Sequence, residues 1–396
     1  MAGRGRKSPE VVSDYLASLD WVYWKDDVRF RDGVEIADVD DVWGQVYLDT
    51  GLWLGKKALE SFIRQQIVPR FTKPLDGIVL RNRPLYATIR GRTGLWYLVE
   101  GEKGKPKLCF VPAGAKPGTI EVFENKEDWP DGVYYHWKMS KKLSPPDQSG
   151  TIADLAKFWA RLAFISALGW ETTLAMFLPA FWWQGVAAFI LTGKDGIEQE
   201  DMISYLYISI AGKRAPFYVG SKPYDLLVLY WWDDLVFISS TFNGSLVPKL
   251  TPIVKAAVSG QTIQAQYSYR SKLKKFTLYG PVFVCGGGVA VPEEMARLCL
   301  EVPTRPVTAQ FSFDGMLELG HKAMNGAFQL FQLASRLPEP TQVLERYSTF
   351  PYRQWLSWAY RYAEVLGVTD KLLSVVEKFG EVPRGIRLYR PRRESR

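Results

Sequence analysis

The sequence predicts an α/β protein with a parallel sheet at its centre, a smaller mixed α/β domain before it and a helical module after it. Three observations predict this. An apolar run, Val186 to Leu191, enters a Gly-containing turn and then a helix-like stretch in "AAFILTGKDGIEQEDM" (187–202). A second run, "YDLLVLYWW" (224–232), is apolar on both faces, as buried parallel strands are. From about residue 315 the apolar spacing is helical throughout.

The elements follow in chain order. "GKKALESFIRQQIVPRF" (55–71) places Leu59, Phe62, Ile63 and Ile67 at helical spacing. The runs "LWYLVEGEKGKPKLCFVPAG" and "TIEVFENKEDWPDG" alternate around turn residues and read as hairpins. "KKLSPPDQSG" (141–150) has linker composition, so the boundary of an N-terminal domain, 1–145, is placed there. A helix, "IADLAKFWARLAFISALG", opens the second domain, 151–305, which continues with "EDMISYLYISIAG" as helix, 247–258 as helix, 261–280 as a polar hairpin and "PVFVCGG" as strand. A helical domain, 306–383, and a basic tail, 384–396, complete the chain.

Composition bounds the function. The net charge of +8 lies at the ends: Arg4, Arg6 and Lys7 contribute +3, and residues 384–396, with Arg390, Arg392 and Arg393 among them, contribute +5. The body between them sums to zero, which predicts arms for a polyanion on a neutral core. Cys109, Cys285 and Cys299 are widely spaced and odd in number, which argues against a disulfide framework. The N-terminus is basic with no apolar stretch behind it, so an intracellular protein is expected. The uncharged stretch Thr172 to Gly193 is long enough to span a bilayer. Pro179, Gln184, Gly185 and Gly193 interrupt it, and a helix followed by a buried strand fits better, so no membrane partner is expected.

The turn after Leu191 has the layout of a phosphate-binding loop, G-x-x-x-x-G-K-[ST]. In such a loop backbone N–H groups wrap the phosphates, the Lys neutralises their outer oxygens and the hydroxyl holds magnesium. Laid on it, Gly193 takes the first Gly position, Lys194 and Asp195 follow, and Gly196 is a midloop Gly. Glu198 replaces the second Gly, Gln199 the Lys and Glu200 the Ser/Thr, with Asp201 next. Cation and hydroxyl are gone, and carboxylates sit where a triphosphate would. Two like charges about 4 Å apart cost on the order of 4 kcal/mol at intermediate dielectric, which disfavours an anionic nucleotide. An ordinary strand–turn–helix with an acidic first turn has the same local sequence. The companion magnesium motif, a buried strand ending in two acids, has two readings. Either Asp233 and Asp234 fill it, or the strand ends at Leu229 and the positions hold Tyr230 and Trp231, so that this motif is degenerate too.

The order of segments downstream resembles the AAA+-class helicase-like replication proteins of the phage, plasmid and virus type. The resemblance rests on "LVLYWWDDL", "LTPIVKAAVSGQ", "QAQYSYRSKLKKFTLYG", "PVFVCGGG", "MARLCLEVP" and "YRQWLSWAYRYAEVLGV", and covers roughly 180–370. It implies an AAA+-like fold for 151–305, a finger-like role for Arg297 and a sensor position near Gly286, where Gly departs from the usual Asn. It also implies that the basic hairpin lines a DNA channel. The residues point the same way: Tyr267 and Tyr269 alternate along one strand while Arg270, Lys272, Lys274 and Lys275 gather near the turn, cations for phosphates beside rings for bases.

The expectation is a nucleic-acid-binding, ATP-incompetent protein without cofactor, with an architectural or loading role in DNA replication. DNA is its expected partner, with a homo-oligomer or a replication protein as a further one. Two alternatives stand beside it. One is an active but unusual ATPase using Lys194, Asp233 and Asp234 with ATP and magnesium; the other is a nucleic-acid-coating protein without ATPase ancestry, expected to lack the parallel sheet. Asp38, Asp40 and Asp41 have a spacing that metal sites use but read as an acidic turn, and His136 and His321 read as structural.

Overall fold

A computed structural model describes most of the chain from Pro9 to Tyr389. Outside the described residues lie 1–8, 25–26, 39–41, 43–45, 47–49, 51–54, 81–82, 103–104, 137–144, 163–165, 194–195, 213–235, 239–246, 267–272, 279, 286–289, 306–314, 385 and 390–396.

The N-terminal part is mixed α/β, with two sheets. Helix α1 (Pro9–Ser18) leads into strands β1 (Asp20–Trp24), β2 (Asp27–Asp32) and β3 (Glu35–Asp38). The predicted helix at 55–71 forms as α2 (Lys56–Phe62), which continues through a π turn, Ile63–Ile67, to Phe71. With β4 (Lys73–Pro74), β5 (Ile78–Leu80) and β10 (Val133–His136) the first sheet has the order β4-β1-β2-β3-β10-β5. Leu59, Ile63 and Ile67 pack α2 against Trp21 and Leu16.

Between β5 and β10 runs an antiparallel meander, β6 (Leu85–Ile89), β7 (Arg92–Glu100), β8 (Pro106–Pro112) and β9 (Glu121–Phe123), which contains the predicted hairpins. Period-two alternation sorts its side chains. Trp96, Leu98, Leu108 and Phe110 face the first sheet's strands. Leu95, Tyr97, Val99, Cys109 and Val111 join the large core formed by residues beyond 151.

Helix α3 (Ile152–Leu162) starts at a capping box: Thr151 Oγ1 donates to Asp154 at 2.8 Å and the Asp154 N–H returns to Thr151 Oγ1 at 3.4 Å. Helix α4 (Trp170–Phe181) holds Pro179 in its last turn and ends at Phe181, and strand β11 (Ala188–Thr192) follows. Next come α5 (Gly196–Leu206), α6 (Ile208–Ala211), β12 (Val236–Ile238), α7 (Val247–Ser259) and the hairpin β13 (Thr262–Gln266) with β14 (Leu273–Thr277). Strands β15 (Val282–Cys285) and β16 (Ala290–Val291), helix α8 (Glu293–Arg297) and β17 (Leu300–Pro303) then lead to α9 (Met316–Ala334), α10 (Thr341–Arg346), α11 (Arg353–Leu366) and α12 (Thr369–Glu377). The last strand, β18 (Arg387–Leu388), pairs with β16.

Strands β12, β15, β11 and β17 form a sheet in that order, with every pair parallel. The run at 224–232 lies outside the described residues, and the described strand nearest to it is β12. Strand β11 is buried on both faces. Phe189 stacks on Phe283 at 5.2 Å beneath Phe177 of α4, while Ala188 and Ile190 face Val254 and Ala257 of α7. Among the described residues no helix is long and apolar enough to cross a membrane.

Candidate functional site

Strand β11 delivers Thr192 and then Gly193 to the C-terminal edge of the parallel sheet, where α5 begins. The chain goes from β11 to β12 and β15 on one side and to β17 on the other. In open α/β sheets the crevice beyond such a reversal is where ligands bind.

Side chains cross that edge. Thr304, just past β17, donates to the Thr192 carbonyl through its N–H at 2.7 Å and its hydroxyl at 2.6 Å. Gln199, in the position of the phosphate-binding Lys, is buried and donates from Nε2 to Thr304 Oγ1 at 2.9 Å. Thr192 Oγ1 donates to Glu301 at 2.9 Å. Gly193 has φ +149°, and a Cβ there would collide with Thr304 Oγ1. Close approach of Thr304 therefore explains the glycine without any ligand.

Glu200, in the hydroxyl position, is 8% exposed. It sits near Cys285 at the end of β15, whose thiol is pushed well up by burial and then by the Glu200 charge. Gly196 opens α5 and Glu198 lies in its first turn, while Lys194 and Asp195 lie outside the described residues. So do Tyr230, Trp231, Asp233, Asp234 and Gly286.

The predicted hairpin forms as β13–β14, in register from Thr262↔Thr277 to Gln266↔Leu273. Phe276 is buried in the core beneath α7, which anchors the ribbon. Lys275 pairs with Gln264 and Lys274 with Ala265 along the backbone. Tyr267, Tyr269, Arg270 and Lys272 lie outside the described residues, as do Arg4, Arg6, Lys7, Arg390, Arg392 and Arg393. Arg297, at the end of α8, is engaged within the chain: it donates to Glu293 at 2.8 Å and to the Gly380 carbonyl at 2.7 Å.

Asp38 stands 3.2 Å from Arg29 and 3.5 Å from His136 Nε2, while Asp40 and Asp41 lie outside the described residues. His321 Nε2 meets the Gly212 carbonyl at 2.9 Å. Among the described residues no group of three His, Cys, Asp or Glu side chains could hold a metal ion. The residue that sequence reasoning missed is Thr304. It lies 105 positions from Gln199 and belongs to no local motif; the pairing of β17 with β11 alone brings it in.

No protein-family model matches the chain, and no curated protein matches it.

Proposed function

We propose that the chain is a nucleic-acid-binding protein on an AAA+-like core whose nucleotide site is inactive, with an architectural or loading role in DNA replication. The observation that carries the inactive-site part is the Gln199–Thr304–Thr192 bridge: the amide that replaces the Lys is committed to the fold, at the edge where a polyphosphate would lie. The parallel order β12-β15-β11-β17, with the Gly193 turn after β11, supports the AAA+-like reading over a coating protein without such a sheet. Nucleic-acid binding is supported by the anchored β13–β14 hairpin, whose second strand includes Lys274 and Lys275, and by the basic residues that the sequence supplies at Arg270, Lys272 and in the two tails.

Fluorescence anisotropy with labelled single- and double-stranded DNA at moderate salt tests the binding. Replacing Arg270, Lys272, Lys274 and Lys275 by Ala is expected to weaken it at least tenfold; unchanged binding, or none in the parent protein, ends the proposal. A phosphate-release assay with ATP and magnesium separates the ATPase alternative. No turnover is expected, and turnover abolished in Asp234→Ala would establish an active site instead.

A further inference from the structure

Helix α11 meets the edge strand β6 in a cluster of rings that carries one guanidinium. Trp358 of α11 is held by its neighbours: Phe331 of α9 stacks on it at 5.9 Å, Tyr362 lies at 6.2 Å, and Tyr86 of β6 stands edge-on at 5.0 Å. The Arg361 guanidinium lies 4.9 Å from the centre of the same indole. Helical side chains lean towards the N-terminus of their helix, which places Arg361 over Trp358 and not beside Glu364, three residues on.

Arg361 is half-buried, and among the described residues no carboxylate pairs with it. Its Nε is buried and meets no acceptor. The hydroxyl of the half-buried Tyr86 makes no hydrogen bond among the described residues either. Burial pushes the Tyr86 phenol up and the Arg361 charge pulls it down, so the two groups share one field. The same charge acts on Tyr362, whose hydroxyl is spent on Gln184 Oε1 at 2.8 Å. Gln184 Nε2 is buried and meets no acceptor. Donors thus outnumber acceptors around a cation without a counter-ion, an arrangement that costs stability until an anion arrives. The terminal nitrogens of Arg361 and the Tyr86 hydroxyl are not enclosed, so an anion reaches them from solvent.

One planar fork matches the two oxygens of a carboxylate, and the Tyr86 hydroxyl supplies a third donor. A nucleic-acid backbone instead needs a run of cations, and the next charge along α11 is the exposed Glu364, which repels a second phosphate. We propose that Arg361 and Tyr86 form a carboxylate-binding site, with Trp358 as the plate that holds the guanidinium in place. The rings order Arg361 in advance, so binding loses little side-chain freedom. The site lies on the α4, α9 and α11 side of the parallel sheet, while the hairpin β13–β14 packs with α7 on the other. It does not rest on the nucleic-acid reading.

The test follows the Trp358 indole N–H of the full chain by NMR, assigned through Trp358→Phe, during titration with sodium acetate against sodium chloride at equal ionic strength. Parallel titrations use a blocked tripeptide with a central glutamate, inorganic phosphate and a DNA oligonucleotide. A saturable shift is expected, with half-saturation on the order of 10 mM acetate. Arg361→Lys, which keeps the charge and loses the fork, is expected to weaken it about tenfold. Tyr86→Phe, which keeps the ring and removes the donor, is expected to weaken it about threefold. Tighter binding of the peptide than of acetate identifies an acidic protein segment as the source; the reverse identifies a small free acid. No saturable shift with either, or a shift indifferent to both variants, overturns the proposal. So does phosphate or the oligonucleotide moving the same signal at lower concentration than either carboxylate. DNA binding that leaves the Trp358 signal untouched keeps the two readings separate, as the proposal expects.

Discussion

Thr304 decides what Gly193 and Gln199 can be. Its hydroxyl accepts from Gln199 and donates to Thr192, so Thr304→Val removes both bonds at constant shape. The expected cost is about 1–3 kcal/mol, read as a shift in urea denaturation. Gly193→Ala is expected to cost more, because φ +149° strains any L side chain and the added methyl meets Thr304. Restoring the cation with Gln199→Lys is not expected to create Mg-ATP binding in calorimetry, since the position is 1% exposed and faces Thr304. The cysteines give a pH prediction. Burial pushes Cys299 up to about 12, and burial does the same for Cys109. A raised folded pKa gives stability that is complete below the unfolded thiol value, about 8.5, and is lost as pH climbs towards 12. Urea denaturation under reductant between about pH 8 and 11 is expected to show stability falling with pH, and Cys299→Ala to remove up to about 1.4 kcal/mol per pH unit of that slope.

Among elements, the long helix α9 shows how packing overrides propensity. Gly→Ala in a helix ordinarily gains about 1 kcal/mol. Here a Cβ at Gly326 would collide with the Thr151 carbonyl at the cap of α3, and one at Gly320 with Ile208 of α6. Gly326→Ala is therefore expected to lower the thermal midpoint instead of raising it, as calorimetry can check. The elements with a strong period were legible in the sequence: α2, β11, the β7–β8 and β13–β14 hairpins, α9 and α11 all lie where spacing predicts them. The six-stranded sheet is legible only as a mixed region, because β3 and β10 pair across about a hundred residues and no local signal records that. The loop's glycine and missing Lys were legible for the same local reason that Thr304 was not.

At the scale of the whole molecule, the linker composition at 141–150 marks a boundary that the core does not respect. Tyr97 of β7 packs on Phe328 of α9 at 5.1 Å, Tyr86 meets Trp358 of α11 at 5.0 Å, and Arg336 donates to the Ala115 carbonyl at 2.9 Å. A fragment beginning at residue 151 would bare the apolar face that β7 and β8 cover. It is expected to lose near-UV circular dichroism and to aggregate on size exclusion, while the full chain does neither. The charge at the two ends gives a further prediction. If both arms bind phosphates, deleting residues 390–396 reduces the slope of log affinity against log salt by about 0.7–0.9 for every phosphate no longer neutralised, measurable by anisotropy across a salt series.

Strand β11 carries one more consequence, and it concerns how the protein is made. Its hydrogen-bonding partners, β15 and β17, lie roughly a hundred residues downstream, and both of its faces are apolar. A ribosome adding about 5–20 residues per second leaves that segment unpaired for on the order of 5–20 s. During that interval the nascent chain presents an apolar strand with no partner, the kind of surface that is prone to aggregate before folding is complete.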